Sequence, residues 1–188
     1  MTELLYSIDV AVFFFINHSL ANPVFDVVMP LLTDLNKVRW GQALYLLGWM
    51  WLIVKGGRRG RIAALLLVVG IIVSDQLSSA VLKPLVGRIR PCATLEGVRL
   101  LVDCGSGLSF PSSHAVNNFC TATILAAFYK KQRLLWLGIA SLVAFTRPYV
   151  GVHYPSDILG GALIGAACGY ALVVIWREAD RRFFGESL

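Results

Sequence analysis

Residues 62–82 form an apolar run of about 20 residues in which Asp75 is the one charged side chain. As a helix at ~1.5 Å per residue, such a run crosses a hydrocarbon layer of ~30 Å. Further apolar stretches occupy residues 40–54, 114–129, 134–145 and 158–176, separated by short polar or basic segments. Composition points the same way. Hydrophobic residues make up 57% of the 188 residues and charged ones 15%, against roughly 45–50% and 25% in soluble domains. Mean hydropathy is +0.69. The expected fold is an all-α polytopic membrane protein, one domain over residues 1–188, built as a bundle of about six transmembrane helices.

The first part of the chain is less regular. Residues 4–20 are apolar but contain Asp9, Asn17 and His18, and residues 24–32 contain Asp26 and Pro30. Residues 1–39 therefore read as short apolar or amphipathic helices, spanning or lying at the interface. Residues 55–61 read as a basic linker too rich in glycine to continue a helix, and Pro84 as the end of the long helix. Thr146 to Asp157 reads as a break stiffened by Pro148. Residues 177–188 read as a charged tail that frays.

A net charge of +6 would point to nucleic acid in a soluble chain. Here the basic residues cluster in 55–61, 130–133 and 177–182, at alternate ends of successive spans and hence on one side. The positive-inside rule makes that side cytoplasmic and leaves no reason to invoke a nucleic acid partner. Lys37 and Arg39 fall on the other side and weaken the bias without reversing it. Residues 85–111 and 146–157 then share the opposite side, which places any site they build at the periplasmic or outer face of a plasma (inner) membrane. Both termini lie on the basic side if the spans number six, and Met1 to Leu4 lack the basic n-region of a signal peptide. The sequence shows no internal repeat, and no oligomeric state is legible in it.

The polar residues left on that outer side have a consistent chemistry. Lys83, Arg90 and Arg147 can clamp a phosphate, whose transition state spreads charge over its equatorial oxygens. Arginine adds a planar fork matched to those oxygens. Ser112 and Ser113 precede a helix start, a position suited to an anion. His153 and Asp157 are four apart. With Pro155 opening a helix, the carboxylate can hold one ring nitrogen and leave the other free to attack phosphorus. His114 is then the candidate acid for the leaving oxygen. No carboxylate cluster or His/Cys set at metal-binding spacing is present, and neither metal nor cofactor is expected.

These residues fall into three ordered blocks: Lys83-x6-Arg90-Pro91, Pro111-Ser112-Ser113-His114, and Thr146-Arg147-x5-His153-x3-Asp157. The set resembles the signature KxxxxxxRP, PSGH and SRxxxxxHxxxD of the type 2 phosphatidic acid phosphatase family. The resemblance implies metal-independent hydrolysis of a phosphomonoester or diphosphate through a phosphohistidine. It makes His153 the nucleophile, His114 the acid and Asp157 the orienter, with Lys83, Arg90, Ser112, Ser113 and Arg147 binding phosphate. Ser113 stands where the family has glycine, and Thr146 where it has serine; neither exchange removes a chemical group. The implied substrate is a membrane lipid phosphate presented from the bilayer. The resemblance and the small size favour undecaprenyl diphosphate, converted to undecaprenyl phosphate. Phosphatidylglycerophosphate, phosphatidic acid and the lipid A 1-phosphate remain open. A non-catalytic lipid-binding or anion-transporting protein is the alternative of another class, opposed by the complete His114, His153 and Asp157 set.

Several residues have a plainer reading. Asp75 fits an interhelical hydrogen bond or ion pair better than a place under the phosphate. His18 reads as interfacial structure. Arg88 and Arg99 read as solvated loop residues or as contacts to a second phosphate or a lipid headgroup. The small residues of 158–176 suit helix packing more than a lipid tail. Cys120 and Cys168 read as small buried hydrophobes. Cys92 and Cys104 share the outer loop twelve positions apart and form a candidate disulfide, with two free thiols as the alternative.

Overall fold

Asn22 sets the first boundary in the fold. Its backbone is extended and its side-chain oxygen accepts the Phe25 N–H at 2.9 Å, with Pro23 at the first helical position, so a helix must start there. That helix, α2 (Pro23–Thr33), follows α1 (Thr2–Phe14) and a π-helical turn over Phe15–Ser19. The chain is bent by 116° between them. The computed structural model describes residues 2–105 and 107–185, which contain nine α-helices and no strand. The all-α class read from composition is what the chain adopts.

Next come α3 (Arg39–Lys55) and α4 (Gly57–Gln76). The expected linker over 55–61 is absent. Gly56 alone separates the two helices, because Gly57 at φ 59° turns the chain and Arg58, Arg59 and Arg61 then belong to α4. The helix also outlasts Pro84. A π-helical turn over Leu77–Leu82 leads into α5 (Lys83–Val86), so Pro84 lies inside a continuing helix, next to the π-helical irregularity. Gly87 ends the helix at φ 65°, a left-handed cap that favours glycine.

After α6 (Pro91–Thr94) the loop runs to α7 (Ser113–Phe128). A 3₁₀ turn over Lys130–Gln132 leads to α8 (Arg133–Tyr149), and α9 (Pro155–Phe184) closes the fold. Two readings are corrected here. Arg147 and Pro148 lie in the last turn of α8, not in a loop. The tail over 177–184 is helical, held by an ion pair of 2.7 Å between Arg58 and the buried Asp180.

The centre of the bundle is α7, with α4, α8 and α9 packed around it. Ile62, Ala63 and Leu66 of α4 meet Cys120, Ile124 and Phe128 of α7 and Val173 of α9, and Cys168 packs against the same cluster. The small-residue face of α9 is spent on this contact: a Cβ on Gly165 would lie 2.1 Å from the Val116 carbonyl oxygen, and one on Gly169 2.6 Å from that of Cys120. Asp75 takes the Asn117 amide at 3.1 Å, and Asn117 accepts from Ser74 at 2.7 Å, so its role is to join α4 to α7.

Outward faces are strongly apolar: Leu159, Leu163 and Ile175 of α9 are each more than 60% exposed, as lipid contact requires. Two stretches, Gly57–Thr94 and Pro155–Phe183, are long and apolar enough to cross a membrane, or three if the bent α1–α2 pair is counted. Helices α3, α7 and α8 have 17, 16 and 17 residues, about 24–26 Å of rise against ~30 Å of hydrocarbon. Helix length therefore supports two or three of the six expected spans.

Candidate active site

The three motif blocks end at one end of the bundle: after α5, at the start of α7, and across the turn from α8 to α9. Backbone geometry makes this turn tight. Gly151 adopts φ 92°, and a Cβ there would lie 2.6 Å from the Arg99 carbonyl oxygen, so no other residue fits without moving that strand of chain. Pro155 then opens α9, and Asp157 sits in its first turn, where the helix dipole favours a carboxylate.

Asp157 is fully buried and its oxygens are shared out. Oδ2 accepts the Tyr154 N–H at 2.9 Å and the Ser109 hydroxyl at 2.5 Å, and lies 3.4 Å from His153 Nδ1. Oδ1 accepts Arg88 Nη1 at 2.8 Å. His153 Nδ1 is also 3.4 Å from Ser109 Oγ. Because Ser109 gives its proton to the carboxylate, both neighbours of Nδ1 act as acceptors. That network assigns the ring proton to Nδ1 and leaves Nε2 with a lone pair. His153 is 2% exposed. Burial is the main cause that pushes its pKa down to about 3, with Asp157 opposing and Arg147 and Arg90 reinforcing the shift. The ring is neutral at pH 7.

The cations converge around it. Lys83 feels the charges of Arg90, Arg147 and Asp157, and His153 those of Arg147 and Arg90. Each cation is partly committed to the protein. Lys83 Nζ donates to the Leu108 carbonyl at 2.6 Å, and Arg90 donates to those of Gly107 and Cys104 at 2.9 and 2.7 Å. Cys104 is disulfide-bonded to Cys92, which ties the loop that these carbonyls belong to. Arg147 donates to Thr33 Oγ1 at 2.5 Å, and its buried Nε has no partner within the protein. The buried Ser112 Oγ has none either. These two atoms, like the remaining N–H groups of Lys83 and Arg90, are left able to donate.

Other motif residues are placed less simply. The Ser112 N–H is spent on the Asp157 carbonyl at 3.2 Å. Ser113 Oγ pairs with Ser78 Oγ at 3.0 Å, fastening α7 to the π-helical turn. Thr146 turns its hydroxyl onto the Val143 carbonyl of its own helix at 2.6 Å. Hence both residues that depart from the family pattern use their hydroxyls for structure. His114 Nε2 contacts the Thr33 carbonyl at 3.2 Å.

Four residues besides the fixed positions of the three motif blocks help to build this end. Arg88, read as a loop or headgroup residue, instead lies between Asp157 and Asp9, donating to Asp9 Oδ2 at 2.6 Å and to Ser156 Oγ at 2.6 Å. Its guanidinium also stacks 3.9 Å over the Tyr154 ring. Asp9 accepts the Ser156 N–H at 2.9 Å and the Ser156 hydroxyl. Ser109 and Thr33 complete the set. A carboxylate inside an apolar run, as Asp9 is, was the available signal. Arg99 is likewise not free: it pairs with Asp26 at 2.7 Å and donates to the Asn17 carbonyl at 2.7 Å. Asn17 in turn bonds Arg99 and Tyr149 backbone groups, and His18 reaches the Gly97 carbonyl at 2.9 Å. Helices α1 and α2 thus strap the motif-bearing loops.

A sequence profile of the PAP2 superfamily matches residues 63–181, which include all three motif blocks. The chain belongs to the PAP2 superfamily. It is similar to a lipid A 4'-phosphatase of Bacteroides thetaiotaomicron, 33% identical over the whole of this chain and 85% of the relative. It is also similar to an undecaprenyl-diphosphatase of Sulfolobus acidocaldarius, 30% identical over 63% of this chain and 57% of that one. Among solved structures, Aquifex aeolicus LpxE superposes with a TM-score of 0.73 at 28% identity, over 88% of this chain and 94% of the other. With its apolar spanning helices, this member of the superfamily is a membrane lipid phosphatase.

Proposed function

We propose that this phosphatase hydrolyses a lipid phosphate through a phosphohistidine on His153. The Nε2 lone pair attacks phosphorus, while Asp157 holds the Nδ1 proton and stabilises the ring as it becomes cationic. Lys83, Arg90, Arg147 and Ser112 hold the equatorial oxygens as charge spreads over them. His114 takes up a proton as the anionic phosphate binds beside it, exchanges the Thr33 carbonyl for the leaving oxygen and gives it the Nε2 proton. Water then attacks the phosphohistidine, neutral His114 accepts its proton, and inorganic phosphate leaves. The observation that carries this reading is the buried His153–Asp157 pair, 3.4 Å apart, set among cations beside the unpartnered Ser112 Oγ and Arg147 Nε.

The similarity to a lipid A 4'-phosphatase runs over the full chain, whereas that to an undecaprenyl-diphosphatase covers 63% of it. A lipid A phosphate monoester is therefore the first substrate to test, and undecaprenyl diphosphate the second. We place the active end at the outer face of the plasma (inner) membrane, since the basic residues of 55–61, 130–133 and 177–182 gather at the other end. Purified full-length protein is assayed for phosphate release from lipid A, undecaprenyl diphosphate, phosphatidylglycerophosphate and phosphatidic acid, with EDTA present. His153→Ala is expected to lose activity by about 10⁴-fold or more. Equal release by wild type and variant would remove His153 from the nucleophile's role, and collapse in EDTA would overturn the metal-free step.

A further inference from the structure

At the end of the bundle away from the histidines lies a second concentration of positive charge. Helix α7 gives out at Phe128, and the turn Lys130–Gln132 leads into α8. Arg59, near the start of α4, and Arg177, near the end of α9, come up beside it. Together these segments enclose a cavity of about 450 Å³ lined by Arg59, Lys130, Lys131 and Arg177, with Ala127 and Phe128 supplying apolar wall. Helix α7 separates it from the motif residues by about 24 Å of rise, and α9 places Arg177 about 30 Å along from Asp157.

Among the described residues, no carboxylate lines the cavity. The acids nearest in the chain are committed to other cations: Asp180 pairs with Arg58 at 2.7 Å, and Glu178 with Arg181 at 2.6 Å and Arg182 at 4.0 Å. Among the described residues, the four lining cations make no ion pair. A bias of basic residues toward one side of the membrane explains their sign. It does not require four of them around one concavity, where only solvent screens their mutual repulsion. An anion there removes the repulsion and gains charge-assisted hydrogen bonds from both lysines and both arginines. Apolar wall beside the cations matches a phosphate joined to a glycerol and acyl chains, and basic pockets between membrane helices serve this purpose elsewhere.

We propose that this cavity binds a phosphate-bearing anion at the end of the protein opposite the active site. The ligand chemistry is a phosphate group, from an anionic phospholipid or free in solution, and the test separates the two. Phosphatidylglycerol is a suitable lipid probe because its phosphate is a diester with no terminal group for the catalytic site to remove. Full-length protein is placed in nanodiscs of phosphatidylcholine with and without phosphatidylglycerol, and, in a second arm, in neutral detergent with and without inorganic phosphate. Thermal unfolding is followed for wild type, for Lys130→Gln/Lys131→Gln/Arg177→Gln, and for the charge-keeping Lys130→Arg/Lys131→Arg.

Phosphatidylglycerol is expected to raise the unfolding midpoint of wild type and of the arginine variant by several degrees. The glutamine variant should lose that rise while hydrolysing substrate at the wild-type rate in phosphatidylcholine alone. A rise with inorganic phosphate that the glutamine variant also loses assigns the cavity to a soluble anion. No rise in either arm, or an equal rise in the glutamine variant, overturns the proposal.

Discussion

Arg88, at the histidine end, lies between Asp9 and Asp157 at 2.6 and 2.8 Å, with a tyrosine ring against its face. Arg59, Lys130, Lys131 and Arg177, at the other end, line a cavity with no carboxylate among the described residues. The first end buries its ionisable groups, and a buried charge without a partner costs several kcal/mol. Its cations are accordingly fixed by carboxylates, carbonyls and hydroxyls before any substrate arrives. The second end leaves its cations at the surface, where water solvates them and their positions need little support. Pre-arranged donors are what stabilise a phosphoryl transition state; surface cations can orient a chain in a membrane and take up an anion reversibly. The same residue types thus have different tasks, set by burial.

Substitutions at the two ends sharpen that contrast. The largest effect is expected for Asp157→Asn, which removes the acceptor of the His153 ring proton and a partner of Arg88. Turnover should fall by about 10³–10⁴-fold with folding retained, measured as phosphate release alongside a thermal unfolding curve. Exchange of Cys92 and Cys104 for serine releases the loop whose carbonyls engage Lys83 and Arg90, and is expected to cost about 3 kcal/mol of stability. Denaturation of wild type with and without reductant gives the same comparison without mutation. Arg88→Gln should lower turnover by about 10–100-fold, the scale of a residue that orients a catalytic group through another. Its pH profile distinguishes orientation from general destabilisation: the acid limb should move toward neutral pH as the Asp157 contact with His153 changes.

Titration separates the ends again. His153 is neutral when folded until about pH 3, whereas the ordinary imidazole value is 6.5. As pH falls through 6.5 the unfolded chain takes up a proton that the folded chain refuses. The stability contributed by this site is therefore complete above 6.5 and declines as pH drops from there toward 3. His153→Gln should flatten that part of a stability-against-pH curve. The smallest effect is expected at the basic end, where Arg182→Gln touches an exposed pair with Glu178. Stability should change by less than about 0.5 kcal/mol and turnover not at all; a loss comparable to that of Arg88→Gln would erase the distinction between the ends.

How far the sequence disclosed all this depends on distance along the chain. The motif residues were legible because each block is a local string with fixed spacing, and the long span at 62–82 because one helix face needs no partner to be recognised. The supports were not. Asp9 meets Arg88 and Ser156 across 79 and 147 positions, and Thr33 meets Arg147 across 114, so no periodicity announces them. Helix limits stay hidden where tertiary contacts override local preference. Residues 177–184 look like a frayed tail until Asp180 is seen against Arg58. Pro148 looks like a loop residue until its last-turn position in α8 is known. Gly165 and Gly169 could have suited a lipid tail as well as a helix; only their closeness to the α7 carbonyls decides.

The most direct measurement is to quench wild-type protein in alkali during turnover of a lipid labelled with ³²P on its terminal phosphate, and to map the label by peptide sequencing. A base-stable, acid-labile label on the peptide carrying His153, absent from His153→Ala, is the expected result. Label on His114 or on a serine, or rapid turnover by His153→Ala, would contradict the assignment of His153 as the group that attacks phosphorus.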